Sequence, residues 1–112
     1  MEDLFRTLFE SSPDAIFIED SQGYVLNCNP AAAILHRIDR KQLIGKHATE
    51  LVPPESRDKV IVSIDEIPFE FEGLSLTADG TSIPVGIRTS RIEYNGKPAV
   101  LLNIFRPRRE EA

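Results

Sequence analysis

The sequence predicts a single α+β domain built on an antiparallel sheet, and three observations carry that reading. Apolar residues sit at helical spacing over the first dozen positions. The last third alternates apolar and polar residues around two reversal signals, Asp79-Gly80 and Asn95-Gly96. Between these regions lies a stretch of short helical patterns broken at Gly45 and at Pro53-Pro54. With 112 residues, 41% hydrophobic and 28% charged, the chain has room for one core and the balance of an ordinary globular domain.

The elements follow in order. Leu4, Phe5, Leu8 and Phe9, with Glu2, Asp3, Arg6 and Glu10 between them, make an amphipathic helix that Ser11-Ser12-Pro13-Asp14 ends, because proline disfavours helical geometry in its predecessor. Ala15 to Glu19 is extended. The short polar residues of Asp20-Ser21-Gln22-Gly23 turn the chain into a second strand, Tyr24 to Cys28. Asn29-Pro30 then supplies a capping oxygen and a first-turn proline for a helix over Ala31 to Arg37. A last helix is expected over Pro54 to Val62. Phe69 and Phe71 alternate with Glu70 and Glu72, whereas Leu74 and Leu76 fall on the opposite parity, so a bulge at Gly73 is expected. Ile83, Val85 and Ile87 form the apolar face of a long strand, and Ala99 to Phe105 closes the sheet.

Two strands, Ala15 to Ile18 and Ala99 to Leu102, are apolar at successive positions, which a half-exposed antiparallel strand would not be. Both faces need cover. The middle helices supply one side. The Leu4, Phe5, Leu8, Phe9 helix supplies the other, either folded back in one monomer or as the interface of a homodimer; the sequence leaves both open.

The chemistry-bearing residues point away from catalysis. No phosphate-binding loop, dinucleotide fingerprint, HExxH, CxxC or GxSxG pattern occurs, and Glu70 and Glu72 share a solvent face where carboxylates are seldom tuned for acid-base work. A small enzyme is therefore a remote alternative, without a nucleophile and base pair to support it. His36, at a helix C-terminus, and His47, in a loop, are expected at the surface; no metal site is expected, although the two histidines leave a single axial haem contact open. Cys28 is expected as a buried, inert thiol, and as the only cysteine it cannot form an internal disulfide. The net charge of -5 disfavours nucleic acid as a partner; Arg106, Arg108 and Arg109 are the one basic cluster. Neither a signal peptide nor an apolar run of membrane-spanning length is present, so a cytoplasmic location is expected, without membrane insertion.

Taken in order, several segments resemble the PAS sensory domain family. They are Leu8-Phe9-Glu10-Ser11-Ser12-Pro13-Asp14-Ala15-Ile16; Gly23-Tyr24-Val25-Leu26-Asn27-Cys28-Asn29-Pro30-Ala31-Ala32; Leu43-Ile44-Gly45-Lys46 with Glu50-Leu51-Val52; and Ala78-Asp79-Gly80-Thr81-Ser82-Ile83-Pro84-Val85. The resemblance implies a five-stranded antiparallel sheet with short helices on one face around a small cavity. It divides the chain into an N-terminal helix (1–12), a core (13–106) and a tail (107–112). It implies a sensory or regulatory module of a histidine kinase, cyclase or transcription regulator, acting on a neighbouring output domain through a bound small metabolite, through dimerisation, or through both. Dimerisation without ligand is the alternative.

On this reading Phe17, Leu43, Ile61, Phe71, Ile87 and Leu102 line the cavity, which accepts a small apolar molecule or is simply packed, and Leu4, Phe5, Leu8 and Phe9 form the dimer interface. The family's flavin light sensors carry an Asn-Cys-Arg-Phe-Leu-Gln motif in the middle helices; here Asn27-Cys28-Asn29-Pro30 ends a strand, so no flavin adduct is expected. Haem-binding relatives place a histidine on the last helix before the third strand, and Pro54 to Ile64 has none, so haem is not expected either. Pro107 stands where many relatives carry the acidic residue of their sheet-to-helix junction.

Overall fold

The computed structural model describes residues 2–61 and 63–107. Helix α1 (Glu2–Ser11) leads into β1 (Ala15–Asp20) and β2 (Val25–Cys28); α2 (Pro30–His36), α3 (Arg40–Leu43) and two 3-10 turns (Ala48–Leu51 and Pro54–Lys59) follow; β3 (Glu70–Leu76), β4 (Ser82–Tyr94) and β5 (Lys97–Phe105) complete the chain. All pairings are antiparallel, in the spatial order β2-β1-β5-β4-β3, so the first and last strands meet at the centre. The expected α+β architecture is present. Among the described residues no helix is long and apolar enough to cross a membrane.

Local chemistry explains the connections. Asp20 Oδ1 accepts from the amides of Gln22 and Tyr24 and closes the β1–β2 turn. Asn95 and Gly96 both adopt positive φ, 51° and 79°, which is what a two-residue hairpin turn of matching twist requires. At the β3–β4 reversal Asp79 accepts from Thr77 Oγ1 and from the Thr81 amide, and these bonds hold its carboxyl down to about 2.

The alternation of β1 and β5 puts Ala15, Phe17, Val100, Leu102 and Ile104 on the face under the helices, where they join Val25, Cys28, Ala32, Leu43, Leu51, Ile67 and Val85 in one core. Ile18 and Ala99 face the other way, and Phe9 of α1 covers them. The doubly apolar strands are thus buried on both sides, at least in part by the chain's own first helix.

Three expectations are corrected. No bulge occurs at Gly73: β3 and β4 pair in unbroken register from Glu70↔Arg88 to Leu76↔Ser82. The parity change arises because the inner face at this end takes small polar residues, Ser75 and Thr77, while Leu74 and Leu76 lie on the outer face. The irregularity sits instead between Ile18 and Glu19, in the pairing with β2. The last helix is a 3-10 turn that stops at Lys59, with three-residue bonds such as Ser56 N–H to Pro53 O and Val60 N–H to Arg57 O; Val62 lies outside the described residues. Phe69 precedes the strand and is 71% exposed rather than on a core face. The basic residues Arg108 and Arg109 also lie outside the described residues.

On the outer face Phe105 lies across Gly86, the Arg88 guanidinium stacks 4.5 Å above the Phe105 ring, and Glu70 accepts from Arg88 Nε at 2.9 Å. A Cβ at Gly86 would stand 2.5 Å from the ring. Gly86→Ala is therefore expected to displace Phe105 and cost about 1–3 kcal/mol; an unchanged urea midpoint would show that the ring swings aside freely.

Candidate functional site

Two regions combine unusual burial with unusual chemistry: the inner face at the β1–β2 end, and the junction of α1 with the sheet.

On the inner face, strand parity places Glu19 beside Ala15 and Phe17, on the core side of β1, with Val25 and Val100 as its cross-strand partners. Glu19 is only 7% exposed. Burial, with a smaller contribution from the charge of Asp20, pushes its carboxyl from 4.5 up to about 8, so it is largely protonated at neutral pH. An open cleft of about 560 Å³ adjoins this end of the sheet, lined by Ser21, Gln22, Ser63, Ile64, Asp65 and Pro98. Deeper in the same layer His36 is fully enclosed, its ring edge-on to Phe17 at 5.6 Å. Its Nδ1–H donates to the Leu76 carbonyl at 2.6 Å, which ties α2 to β3. Burial lowers the imidazole's affinity for a proton, against the opposing effect of that bond.

At the α1 junction Asn29 is fully buried and makes four side-chain bonds. Oδ1 accepts from Ile16 N–H (2.9 Å) and Ala32 N–H (3.1 Å), and Nδ2 donates to the carbonyls of Phe9 and Asp14 (3.0 Å each). One amide thus caps α2, aligns β1 and holds the end of α1. Arg40 braces the same junction, donating to Glu10 and to Asn27. Phe9 inserts against Ile18 and Ala99, whereas Leu4, Phe5 and Leu8 stay exposed at 58%, 47% and 61%.

The anticipated cavity residues separate. Phe17, Leu43 and Leu102 are buried in the core, and Phe71 and Ile87 pack against it half-buried. Ile61 does not join them: it follows the 3-10 turn and is 44% exposed. The wide cleft is lined by other residues, as is a second, of about 220 Å³, at the opposite end of the sheet between Ala31, Ile34, Leu35, Ile83 and Phe105. His36 is corrected from surface to core. His47 is half-buried as a helix cap: Nε2–H donates to Gln22 O, and Nδ1 accepts from the Thr49 amide. Cys28 is buried, as expected, and burial pushes its thiol up against the opposing charge of Arg40. Glu70 and Glu72 are exposed. Among the described residues no three His, Cys, Asp or Glu side chains gather as metal ligands.

Glu19 was missed by sequence reasoning, although its signal was present. It shares parity with Ala15 and Phe17, so it falls on the core face of an otherwise apolar strand.

Several solved domains share this arrangement. A 25% identical stretch covers 88% of this chain and 10% of a methyl sulfide methyltransferase-associated sensor from Methanosarcina acetivorans, so the chain spans about a tenth of that relative. The PAS domain of an HTR-like protein from Haloarcula marismortui superposes with a TM-score of 0.79 at 22% identity, covering 92% of this chain and 88% of that one. A domain of a sensory box sensor histidine kinase/response regulator from Geobacter sulfurreducens gives 0.73 at 20% identity, over 91% of each chain. The family model described as PAS fold matches residues 3–108, nearly the whole chain, and the chain belongs to the PAS family.

Proposed function

We propose that this domain is a regulatory module of a longer signalling protein, and that it works as a homodimer paired through α1. The observation that carries this reading is the division of labour along the helix. Phe9 is anchored in the outer face of the sheet, while Leu4, Phe5 and Leu8 leave an apolar stripe uncovered on a helix whose position the Asn29 bonds hold. A membrane surface suits this stripe poorly: α1 carries one basic residue, Arg6, and the chain is acidic, whereas interfacial helices are rich in Lys and Arg. A second copy of the same stripe fits it, because a two-fold pairing buries like against like. The output domain belongs to the parent chain, as in the sensor histidine kinase whose domain shares this fold. No substrate turnover is part of the proposal.

Replacing Leu4 and Leu8 together with Glu is expected to yield monomers with unchanged circular dichroism; a dimer that persists in sedimentation velocity would exclude pairing through α1. Sensing of a small molecule is the second reading, favoured by the wide cleft between Ser21, Gln22, Ile64 and Pro98. Native mass spectrometry of the purified protein tests it, since a retained metabolite adds its mass to the folded charge states.

A further inference from the structure

The sheet ends in two edge strands, β2 and β3, which the chain treats differently. Along β2 the backbone of Gly45 and Lys46 acts as a partial partner through bonds with Val25, and His47 bridges to Tyr24. β3 has no such neighbour over most of its length. Two bonds at its ends fix which of its backbone groups face outward: the Thr89 amide donates to Phe69 O at 2.8 Å, and the Thr77 amide to Thr81 O at 2.9 Å. Bonded pairs alternate in an antiparallel ladder. Phe71, Gly73 and Ser75 therefore direct their N–H and C=O to β4, while those of Glu70, Glu72, Leu74 and Leu76 point away from it. The Leu76 carbonyl shows this parity directly, because it accepts from His36 of α2. That contact seals one end of the edge. Among the described residues, no group bonds the outward amides and carbonyls of Glu70, Glu72 and Leu74.

We propose that this open stretch of β3 is a docking edge that takes an extended, basic segment of a partner protein as an additional strand of the sheet. The partner's chemistry follows from what flanks the edge. Residues 65–72 include Asp65, Glu66, Glu70 and Glu72 and no basic residue. Strand parity puts the Glu70 and Glu72 side chains on the outer face together, both exposed, followed by half-buried Leu74. One oxygen of Glu70 is engaged by Arg88, and Glu72 forms no ion pair among the described residues. Phe69, 71% exposed where the chain enters the strand, adds an aromatic of the kind that interfaces recruit. A strand laid antiparallel along this edge would draw affinity from the free backbone groups and selectivity from its alternate side chains. Read from its N-terminus, it needs an apolar residue opposite Leu74, then Lys or Arg opposite Glu72 and again opposite Glu70, at every second position. A second copy of β3 suits the edge poorly. Pairing centred at Glu72 sets that carboxylate against its own copy, and moving the centre toward Leu76 runs the copy into the His36 seal. The charges that guard the edge against its own copy thus select a basic partner. Use of this contact in signalling rests on the regulatory reading above; the edge itself does not depend on pairing through α1.

Amide exchange of the free protein is the first test: Glu70, Glu72 and Leu74 are expected to exchange rapidly between protected Phe71, Gly73 and Ser75. The probe is the capped peptide acetyl-Thr-Val-Thr-Lys-Val-Lys-Val-amide, titrated into the isotope-labelled chain and followed by NMR. Expected are saturable shifts centred on residues 69–76, slowed exchange of the outward amides, and binding about tenfold tighter than that of the same peptide with Glu in place of Lys. Glu72→Pro should abolish binding and leave the fold intact, because the ladder does not use that N–H, whereas Glu72→Gln should only weaken it. Should the proline variant not fold, charge reversal decides: the Glu70→Lys, Glu72→Lys protein should prefer the Glu peptide. Protected outward amides in the free protein overturn the proposal. So do absence of shifts at millimolar peptide, shifts centred elsewhere, equal binding of the two peptides, or a folded proline variant that binds like wild type. Protection that appears only as protein concentration rises would give the edge to a second copy, and overturns it too. Unchanged binding in the Leu4→Glu, Leu8→Glu monomer supports an edge separate from the α1 pairing, and loss of binding in that monomer, if folded, refutes it.

Discussion

Glu19→Gln is expected to remove most of the alkaline slope of the domain's stability. Folding raises the carboxyl from 4.5 to about 8, so the folded state holds a proton that the unfolded chain releases, and stability falls as pH rises across that window. The contribution is complete below pH 4.5 and lost as pH rises through about 8. At about 1.4 kcal/mol per unit, the contribution of this carboxyl should fall by on the order of 3 kcal/mol between pH 5 and pH 8. That is a large share of the 5–15 kcal/mol or so typical of a domain. Glutamine has nearly the same shape and cannot ionise, so its gain over wild type should grow with pH.

His36 acts with the opposite sign. Burial lowers its proton affinity in the folded state, so its stabilising contribution is present above pH 6.5, the ordinary value, and is lost as pH falls below it. Below pH 6.5 the two slopes oppose each other, so the wild-type curve is expected to be flatter between pH 5 and 6.5 than between 6.5 and 8, and the Gln variant to retain only the His36 limb, rising toward pH 6.5 and level above it. Urea denaturation at pH 5, 6.5 and 8 reads both slopes. A variant that parallels wild type from pH 6.5 to 8 would show that Glu19 is ionised and solvated in the folded protein.

Of these two buried groups, Glu19 is legible in strand parity, whereas His36 marks where local patterns in the sequence stop being informative. The hairpin at Asn95-Gly96, the Asn29-Pro30 helix start and the amphipathic first helix are short-range features, each decided by residues within a few positions, and each is where the pattern puts it. His36 is different. Its helix-terminal position favours a surface cation, but the Leu76 carbonyl that receives its proton is 40 residues away, and only the docking of α2 on β3 brings them together. The apparent bulge at Gly73 has a similar origin. Alternation of hydrophobicity reports a strand's register only when one face is apolar, and here Leu74 and Leu76 turn outward while Ser75 and Thr77 turn inward. Of the six anticipated cavity residues, strand parity was enough to bring four, Phe17, Phe71, Ile87 and Leu102, onto one core, which Leu43 joins from α3. Ile61 depended on an α-helix continuing past Lys59, and the 3-10 turn ends there.

Asn29→Ala is expected to be the most damaging single substitution in the α1 junction, because it removes four bonds that serve three elements. Loss of the α2 cap alone costs about 1 kcal/mol. The Ile16 amide and the Phe9 carbonyl would lose their partner as well, and the Asp14 carbonyl would keep only Ser12 Oγ, in a region where the Asn29 side chain itself is fully buried. Each such group left unpaired costs on the order of 1–3 kcal/mol, so a total of at least about 3 kcal/mol is expected, enough to unfold a marginal domain. Asn29→Ser separates the roles. Its hydroxyl can still accept from the Ala32 amide and cap α2, but it is too short to replace the Nδ2 donations to Phe9 and Asp14. Hydrogen exchange on the Ser variant should therefore show α2 protected and α1 released, with dimerisation weakened although Leu4, Phe5 and Leu8 are untouched. Equal loss of protection in α1 and α2 would mean that Asn29 serves the fold as a whole; selective release of α1 would identify it as the post that holds the pairing helix to the core.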